Sequence, residues 1–341
     1  MNFLAGDVGG TKTFLGVYSS ENNLVRLHHK KYLSSKWNSM EAMLSNFLET
    51  LPSGINPPTN GCIALAGLVS NCSCKLTNLG WYLDQSKLCK IANLISLELI
   101  NDVSVLLYGI PFLNNKQFVQ IQTGINQVNK HKTIAVIAAG TGLGIARGVF
   151  DNKKVLVLPS EGGHKEFAPR STTEWALAEW LKSDLNLNRL SLERIISGTG
   201  LGHIARWRLN QSDAISHPLK NISDKWRSSN EVDLPALVSD SAKNGDRFMK
   251  EALNIWLSAY GSAAGDLALQ ELCEGGLWIA GGTTSKQLEG IRSATFLDPM
   301  KRKGRFNKYL EELPVMAIID QEAGLFSAAC RARMLAKEMR N

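Results

Sequence analysis

Two short glycine-rich stretches constrain this chain more than anything else in it. Asp7-Val-Gly-Gly-Thr-Lys-Thr13 and Ala138-Ala-Gly-Thr-Gly-Leu-Gly144 each fall where an apolar, strand-like run breaks into glycine. An apolar run, a glycine break and a second apolar run fold as strand, tight turn and strand. Such a turn offers backbone amides with no bulky side chain in front of them, a surface suited to phosphate oxygens. Neither stretch is a familiar nucleotide fingerprint. Gly140-Thr-Gly-Leu-Gly144 spaces its glycines as GxGxG rather than GxGxxG, and a strand rather than a helix is expected to follow. The P-loop pattern GxxxxGK[ST] does not occur. The two stretches therefore read as the jaws of a phosphate clamp made of hairpin amides.

The rest of the chain alternates strands and helices. Residues 3–7 and 13–18 read as strands joined at Gly9-Gly10, and 24–32 as a third. Met43, Leu44, Phe47, Leu48 and Leu51 recur at helical spacing within 40–51. A buried strand at 62–66 ends at Gly67, Asp84 is placed to cap a helix through Ala92, and a strand at 97–100 stops at Asn101-Asp102. A mixed sheet with helices packed on it follows from that order.

Beyond about residue 103 the pattern restarts. A strand at 133–138, the glycine turn and a strand at 144–150 repeat the order of residues 3–18, as if one fold were used twice. Ser171-Thr-Thr-Glu174 is a capping box opening a helix with Trp175, Ala178 and Leu181 on one face. A long helix is expected over 246–272, where Ala259, Gly261, Ala263, Ala264 and Gly265 make a slim, closely packed surface. A strand at 277–280 ends at Gly281-Gly282, a last strand spans 314–319, and a helix runs to about Met339. The expected division is a small domain of 1–103 with about 320–341, and a large domain of 104–319. One pentapeptide recurs: Gly140-Thr-Gly-Leu-Gly144 reappears as Gly198-Thr-Gly-Leu-Gly202, each followed closely by Ile-Ala-Arg. The flanking sequences do not align, so the echo is read as coincidence rather than duplication.

Composition narrows the setting. A chain of 341 residues suggests two domains or one large α/β unit, and 44% hydrophobic with 20% charged residues is ordinary for a globular protein. The net charge of +7 is spread along the chain, and its one dense run, Lys301-Arg-Lys-Gly-Arg305, reads as a solvated turn, so no nucleic-acid partner is expected. No apolar run approaches the ~18 residues of a membrane span, and no signal peptide precedes Phe3, so the expected location is the cytoplasm, with no membrane partner. The six cysteines form no disulfide framework, and Cys72-Ser-Cys74 lacks a second Cys/His pair at ligand spacing, so no zinc is expected.

Several polar groups carry chemistry. Asp7 ends a strand facing its glycine hairpin, where a carboxylate can hold Mg²⁺ through water while the amides at Gly9 and Gly10 and the Thr11 hydroxyl meet phosphate. A capped turn is the plainer alternative. Asn101-Asp102 sits at a strand end, a usual address for catalytic side chains in open α/β sheets, and an aspartate there can take a proton from an attacking hydroxyl. Asn-Asp is also a common turn pair. Glu161-Gly-Gly-His164 offers acceptors and a donor across a flexible glycine pair, which suits a polyhydroxylated ligand. Glu193, just ahead of Ser197-Gly198, reads on its own as a first-turn helix glutamate.

Taken in order, Asp7-x-Gly-Gly-Thr11, Asn101-Asp102, Gly140-Thr-Gly142, Glu161-Gly-Gly-His164, Glu193 with Ser197-Gly-x-Gly200, and Ala280-Gly-Gly282 resemble the bacterial ATP-dependent glucokinases. These belong to the hexokinase, actin and chaperone ATPase superfamily. The resemblance covers nearly the whole chain, including Thr77-Asn78-x-x-Trp81 and Lys303-Gly-Arg-Phe306. It implies an α/β fold of two ribonuclease-H-like domains, mixed sheets flanked by helices, with the site in an interdomain cleft. It implies Asp102 as general base on the 6-hydroxyl of glucose, and Asn101, Glu161, His164 and Glu193 on the other hydroxyls. The Asp7 to Thr11 hairpin and Gly140-Thr141-Gly142 would grip the ATP phosphates and Mg²⁺, with Lys12 either reaching phosphate or solvated, and Gly281-Gly282 would admit adenosine. A homodimer is the family's usual form.

Departures sharpen the assignment. Lys12-Thr13 stands where some of these glucokinases carry Asn-Ala. The repressor–kinase relatives share Asp-x-Gly-Gly-Thr-Lys but carry a cysteine-rich zinc site, whereas no cysteine lies between Cys89 and Cys273 here. A repressor would also need a helix-turn-helix ahead of its kinase domain, and this chain enters its first strand at residue 3. An actin- or chaperone-like ATPase would leave Asn101-Asp102 and Glu161-Gly-Gly-His164 without a task.

Overall fold

The structure is a computed structural model and describes residues 1–20, 23–124, 133–151, 154–226 and 232–339. Two compact units partition it: Met1–Gln117 with Val157–Pro159 and Asp320–Asn341, and Phe118–Leu156 with Ser160–Ile319.

The first unit is built on a five-stranded sheet. Its order is Leu24–Leu33, Lys12–Ser20, Asn2–Val8, Asn60–Leu65, Ser96–Asn101. The first three strands are antiparallel neighbours, and the last two run parallel to Asn2–Val8. The helix Met40–Glu49 buries Met40, Met43, Leu44 and Phe47, a 3.6-residue stripe, and Ser39 caps it by accepting the Ala42 N–H at 3.2 Å. Asp84 caps Gln85–Ile91 by accepting the Lys87 N–H at 2.8 Å. The helix Ala323–Glu338 returns to pack on the strands Asn2–Val8 and Asn60–Leu65. A three-stranded sheet of Val69–Ser70, Ser73–Leu76 and Trp81–Asp84, not anticipated from the sequence, turns at Asn71 and Cys72, both left-handed. Its strands are too short to show a period of two.

The second unit carries a six-stranded sheet in the order Lys154–Leu158, Leu143–Asp151, Thr133–Ala139, Leu277–Ala280, Val315–Ile318, Phe118–Gln122. Thr133–Ala139 and Leu143–Asp151 form the expected antiparallel pair around the glycine turn, and Leu277–Ala280 runs parallel to the first of them. The helix Arg247–Glu271 is as slim as its sequence implied. A methyl on Gly261 would stand 2.0 Å from the Phe296 carbonyl oxygen, and one on Gly265 2.1 Å from that of Met300. Only glycine admits the helix Ala294–Lys301 that closely.

Ser171 caps Thr172–Leu185, yet the buried face of that helix is Glu174, Leu177, Ala178 and Leu181, while Trp175 is 56% exposed. The stripe is centred one residue away from where Trp175 put it. Its Glu174 is buried because its carboxylate accepts the N–H of Arg170 at 2.7 Å and pairs with the guanidinium of the same residue.

Candidate active site

In the first unit, three parallel strands end together. Val8 lies opposite Leu65, and Leu65 opposite Asn101, so Asp7, Gly67 and Asn101-Asp102 share one edge of the sheet. Carboxyl ends of parallel strands are where open α/β sheets place their chemistry. The Asp102 N–H donates to the Leu65 carbonyl at 3.0 Å, which extends the ladder by one residue and fixes the backbone that carries the carboxylate.

Asn101 is committed locally. Its Oδ1 accepts the N–H groups of Val103 at 3.0 Å and Ser104 at 3.1 Å, and its Nδ2 donates to the Gly67 carbonyl at 3.3 Å. The amide thus builds the turn on which Asp102 rides. Asp102 also stands near Cys74, whose thiol is pushed up chiefly by burial and further by that negative charge.

The hairpin beside it is closed by the Gly9 N–H on the Lys12 carbonyl at 2.9 Å, with Gly10, Thr11 and Lys12 exposed. Ser34, fully buried, holds it from behind. The Ser34 N–H donates to Thr11, its hydroxyl donates to the Gly9 carbonyl at 2.9 Å, and the same oxygen lies 3.0 Å from the buried Thr13 hydroxyl. Sequence reasoning missed Ser34, which is an ordinary serine until the fold brings it across 25 residues.

Asp7 is the electrostatic oddity of this edge. Loss of surrounding water pushes its carboxyl up to about 6. Against it lies Gly324 in the first turn of Ala323–Glu338, and a methyl there would come within 2.5 Å of Oδ2. The carboxylate is packed on the bare backbone of Gly324, and its fit to a hydrated divalent cation rests on donor type, a hard oxygen ligand.

In the second unit the glycine turns at 140–142 and 281–282 also share a sheet end, because Ala138 lies opposite Ala280. Gly281 takes a left-handed φ of 96°, and a methyl there would meet the backbone of Ala139 at 2.3 Å. Thr283 donates to the Ala139 carbonyl from both its N–H, 3.1 Å, and its hydroxyl, 2.7 Å. Nothing lies within 4 Å of a methyl built on Gly140 or on Gly282, so both turns open onto free space.

The remaining polar groups gather around Leu143, where the strand leaves the first of these turns. Glu193 accepts the Leu143 N–H at 3.1 Å, and its carboxylate comes within 2.4 Å of where a Gly142 Cβ would be. On the other side, a methyl on Gly163 would lie 1.9 Å from the Leu143 carbonyl oxygen, so Glu161-Gly-Gly-His164 can approach only as glycine. Glu161 and His164 stand 3.8 Å apart with both side chains 55% exposed. Arg189 donates to the His164 carbonyl at 2.8 Å, and the Leu192 N–H donates to Lys165 at 2.8 Å, tying this loop to the segment that bears Glu193. Glu161, His164 and Glu193 therefore converge on one strand start. The two copies of Gly-Thr-Gly-Leu-Gly differ in form, one a turn between strands and the other the opening of the helix Gly198–Leu209. They nonetheless touch. Thr199, which sequence reasoning passed over, donates its hydroxyl to the Thr141 carbonyl at 3.0 Å.

Among the described residues no group of three or more His, Cys, Asp or Glu side chains is arranged to hold a metal ion, and no helix is long and apolar enough to cross a membrane.

A family model described as Glucokinase matches residues 4–335. The chain is 37% identical over 343 residues to a glucokinase of Nostoc sp. (strain PCC 7120), covering 97% of this chain and 99% of that one. It is 32% identical over 332 residues to that of Tolumonas auensis, covering 97% and 96%. Its fold is similar to the crystal structure of a glucokinase from an Antarctic psychrotroph, with TM-score 0.80, 28% identity and coverage of 98% and 99%. It is also similar in fold to a ROK family glucokinase from Streptomyces griseus, in complex with glucose and AMPPNP, with TM-score 0.64, 20% identity and coverage of 98% and 100%. With matches that run from end to end of the chain, it belongs to the glucokinase family, an ATP-dependent hexose kinase by that membership.

Proposed function

We propose that this chain transfers the γ-phosphate of ATP to the 6-hydroxyl of glucose, giving glucose 6-phosphate and ADP, with Asp102 as the general base. The observation that carries this reading is the shared strand end of the first unit, where a carboxylate and an amide hairpin belong to one rigid edge. Asp102 accepts the proton of the attacking hydroxyl. Asn101 shapes the turn that holds Asp102 with its Oδ1 and one Nδ2 hydrogen, and its second Nδ2 hydrogen is offered to a sugar hydroxyl. Glu161, His164 and Glu193 hold the other hydroxyls. Hydroxyls donate and ionised carboxylates accept strongly, which suits a carboxylate-rich sugar site. Gly9 to Lys12 and Gly140 to Gly142 receive phosphate oxygens, and Gly281-Gly282 leave room for adenosine. Asp7 would hold Mg²⁺ through water, which screens the charge of the phosphates when bound. A cytoplasmic homodimer completes the reading.

A coupled assay of ADP release across a panel of hexoses and phosphoryl donors tests it. Turnover with ATP and glucose, and loss of it without a divalent cation, is the expected result. Equal ADP release without any sugar would sink the proposal, because the chain would then be a plain ATPase.

A further inference from the structure

We propose that Thr199 is a positioning residue for the nucleotide, holding the turn at 140–142 so that its unbonded N–H groups face the phosphates. The inference rests on reading that turn as a phosphate site. All three carbonyls of the turn are taken. The Gly140 carbonyl accepts the Gly198 N–H at 2.7 Å, that of Thr141 accepts the Thr199 hydroxyl at 3.0 Å, and that of Gly142 accepts the Gly140 N–H at 2.8 Å.

A planar trans peptide points its C=O and N–H in opposite directions. Fixing the carbonyls of Gly140 and Thr141 therefore fixes the N–H groups of Thr141 and Gly142. Among the described residues neither of these has a hydrogen-bond partner. On its Gly140 side the turn is open, with nothing within 4 Å of a Cβ there, while the Glu193 carboxylate stands 2.4 Å from a Cβ on Gly142. Two unpartnered amides on fixed peptides are what an anion needs, and what a mobile turn would not keep in place.

The holder is itself held. Ser197, fully buried, donates its hydroxyl to the Glu193 carbonyl at 2.7 Å and accepts the Gly200 N–H at 2.9 Å. Trp256, also fully buried, donates its indole N–H to the Ser197 carbonyl at 3.0 Å. Thr199 thus extends from a rigid base, while its own side chain is only partly buried, so replacing it hollows no core.

Three variants of the full chain test this: Thr199→Val, Thr199→Ser and Gly140→Val. Each is assayed for the KM of ATP and of glucose, and for inhibition by ADP and by adenosine. Thr199→Val is expected to raise the KM of ATP and weaken ADP about five- to tenfold, the worth of one hydrogen bond. Adenosine, which has no phosphate, and glucose should be unaffected, and Thr199→Ser should restore ADP affinity to within about twofold. Weakening of adenosine as strongly as ADP would overturn the proposal, as would failure of Thr199→Ser to rescue. Gly140→Val places a side chain only in open space, so it should abolish ATP binding if phosphate sits there. Loss of ATP in Gly140→Val with unchanged ADP affinity in Thr199→Val removes the role of Thr199 alone. Intact ATP binding in Gly140→Val removes the phosphate-site reading itself.

Discussion

The carboxylate of Asp7 occupies the space that a side chain on Gly324 would need, with Oδ2 2.5 Å from the position of a Cβ. Strand and helix are thereby locked into one arrangement at the edge where the hairpin opens. Gly324→Ala should push the carboxylate aside, and displacements of this size cost between about 10- and 100-fold in rate. The loss should fall on kcat/KM for ATP, with glucose affinity, followed by intrinsic fluorescence, unchanged. Full activity would mean that the Asp7 carboxylate has no fixed task.

Ionising Asp7 works against folding. Its pKa rises from 3.8 to about 6 on burial, so the protonated form is the one the fold favours. The stability this carries is fully present below pH 3.8 and is lost as pH rises through about 6. Asp7→Asn removes the penalty, and should therefore stabilise the magnesium-free chain at pH 8 by up to about 3 kcal/mol. That gain should shrink towards zero near pH 4. Urea denaturation across this range decides it, and a gain independent of pH would show that the carboxyl is not desolvated.

Asp102→Asn keeps the shape of the turn and removes the carboxylate proposed as base. Turnover should fall by a factor of about 10² to 10⁴, with glucose affinity held within about tenfold. Rapid-quench kinetics beside equilibrium sugar binding separates the two effects. A variant with native kcat would end the assignment.

Gly163→Ala tests the sugar loop without touching a polar group. Its Cβ would fall 1.9 Å from the Leu143 carbonyl oxygen, so the loop bearing Glu161 and His164 must move. The KM of glucose should rise at least tenfold, about the scale of a lost charged hydrogen bond. Glu161→Gln should act in the same direction with a smaller effect. An unchanged KM in both would place the sugar elsewhere.

Much of the architecture was legible because it is local. Apolar runs stopped by glycine fold as strand and turn from short-range chemistry alone, and both hairpins formed where such runs occur. The ends of 62–66 and 97–100 were legible for the same reason. Trp175 misled because a large apolar residue was counted into a stripe whose true members include a paired glutamate. Ser34 and Gly324 carry no signal in sequence at all, and the one signal at Thr199, the repeated pentapeptide, says nothing of what its hydroxyl meets. Each matters only through a partner far along the chain, and their neighbours look like any turn or helix start. Asn101 was legible as a strand end, but the bonds its Oδ1 makes to its own turn were not.

The paired pentapeptides bear on how the chain matures. The turn at 140–142 cannot reach its final hydrogen bonding until residues 58 positions later have been made and folded back. A nascent chain that has emerged only to Leu192 would present the carbonyls of Gly140 and Thr141 to water, leaving the amides of Thr141 and Gly142 free to swing. The turn proposed to hold phosphate is thus completed only once the segment bearing Thr199 has joined it, a late step set by sequence separation.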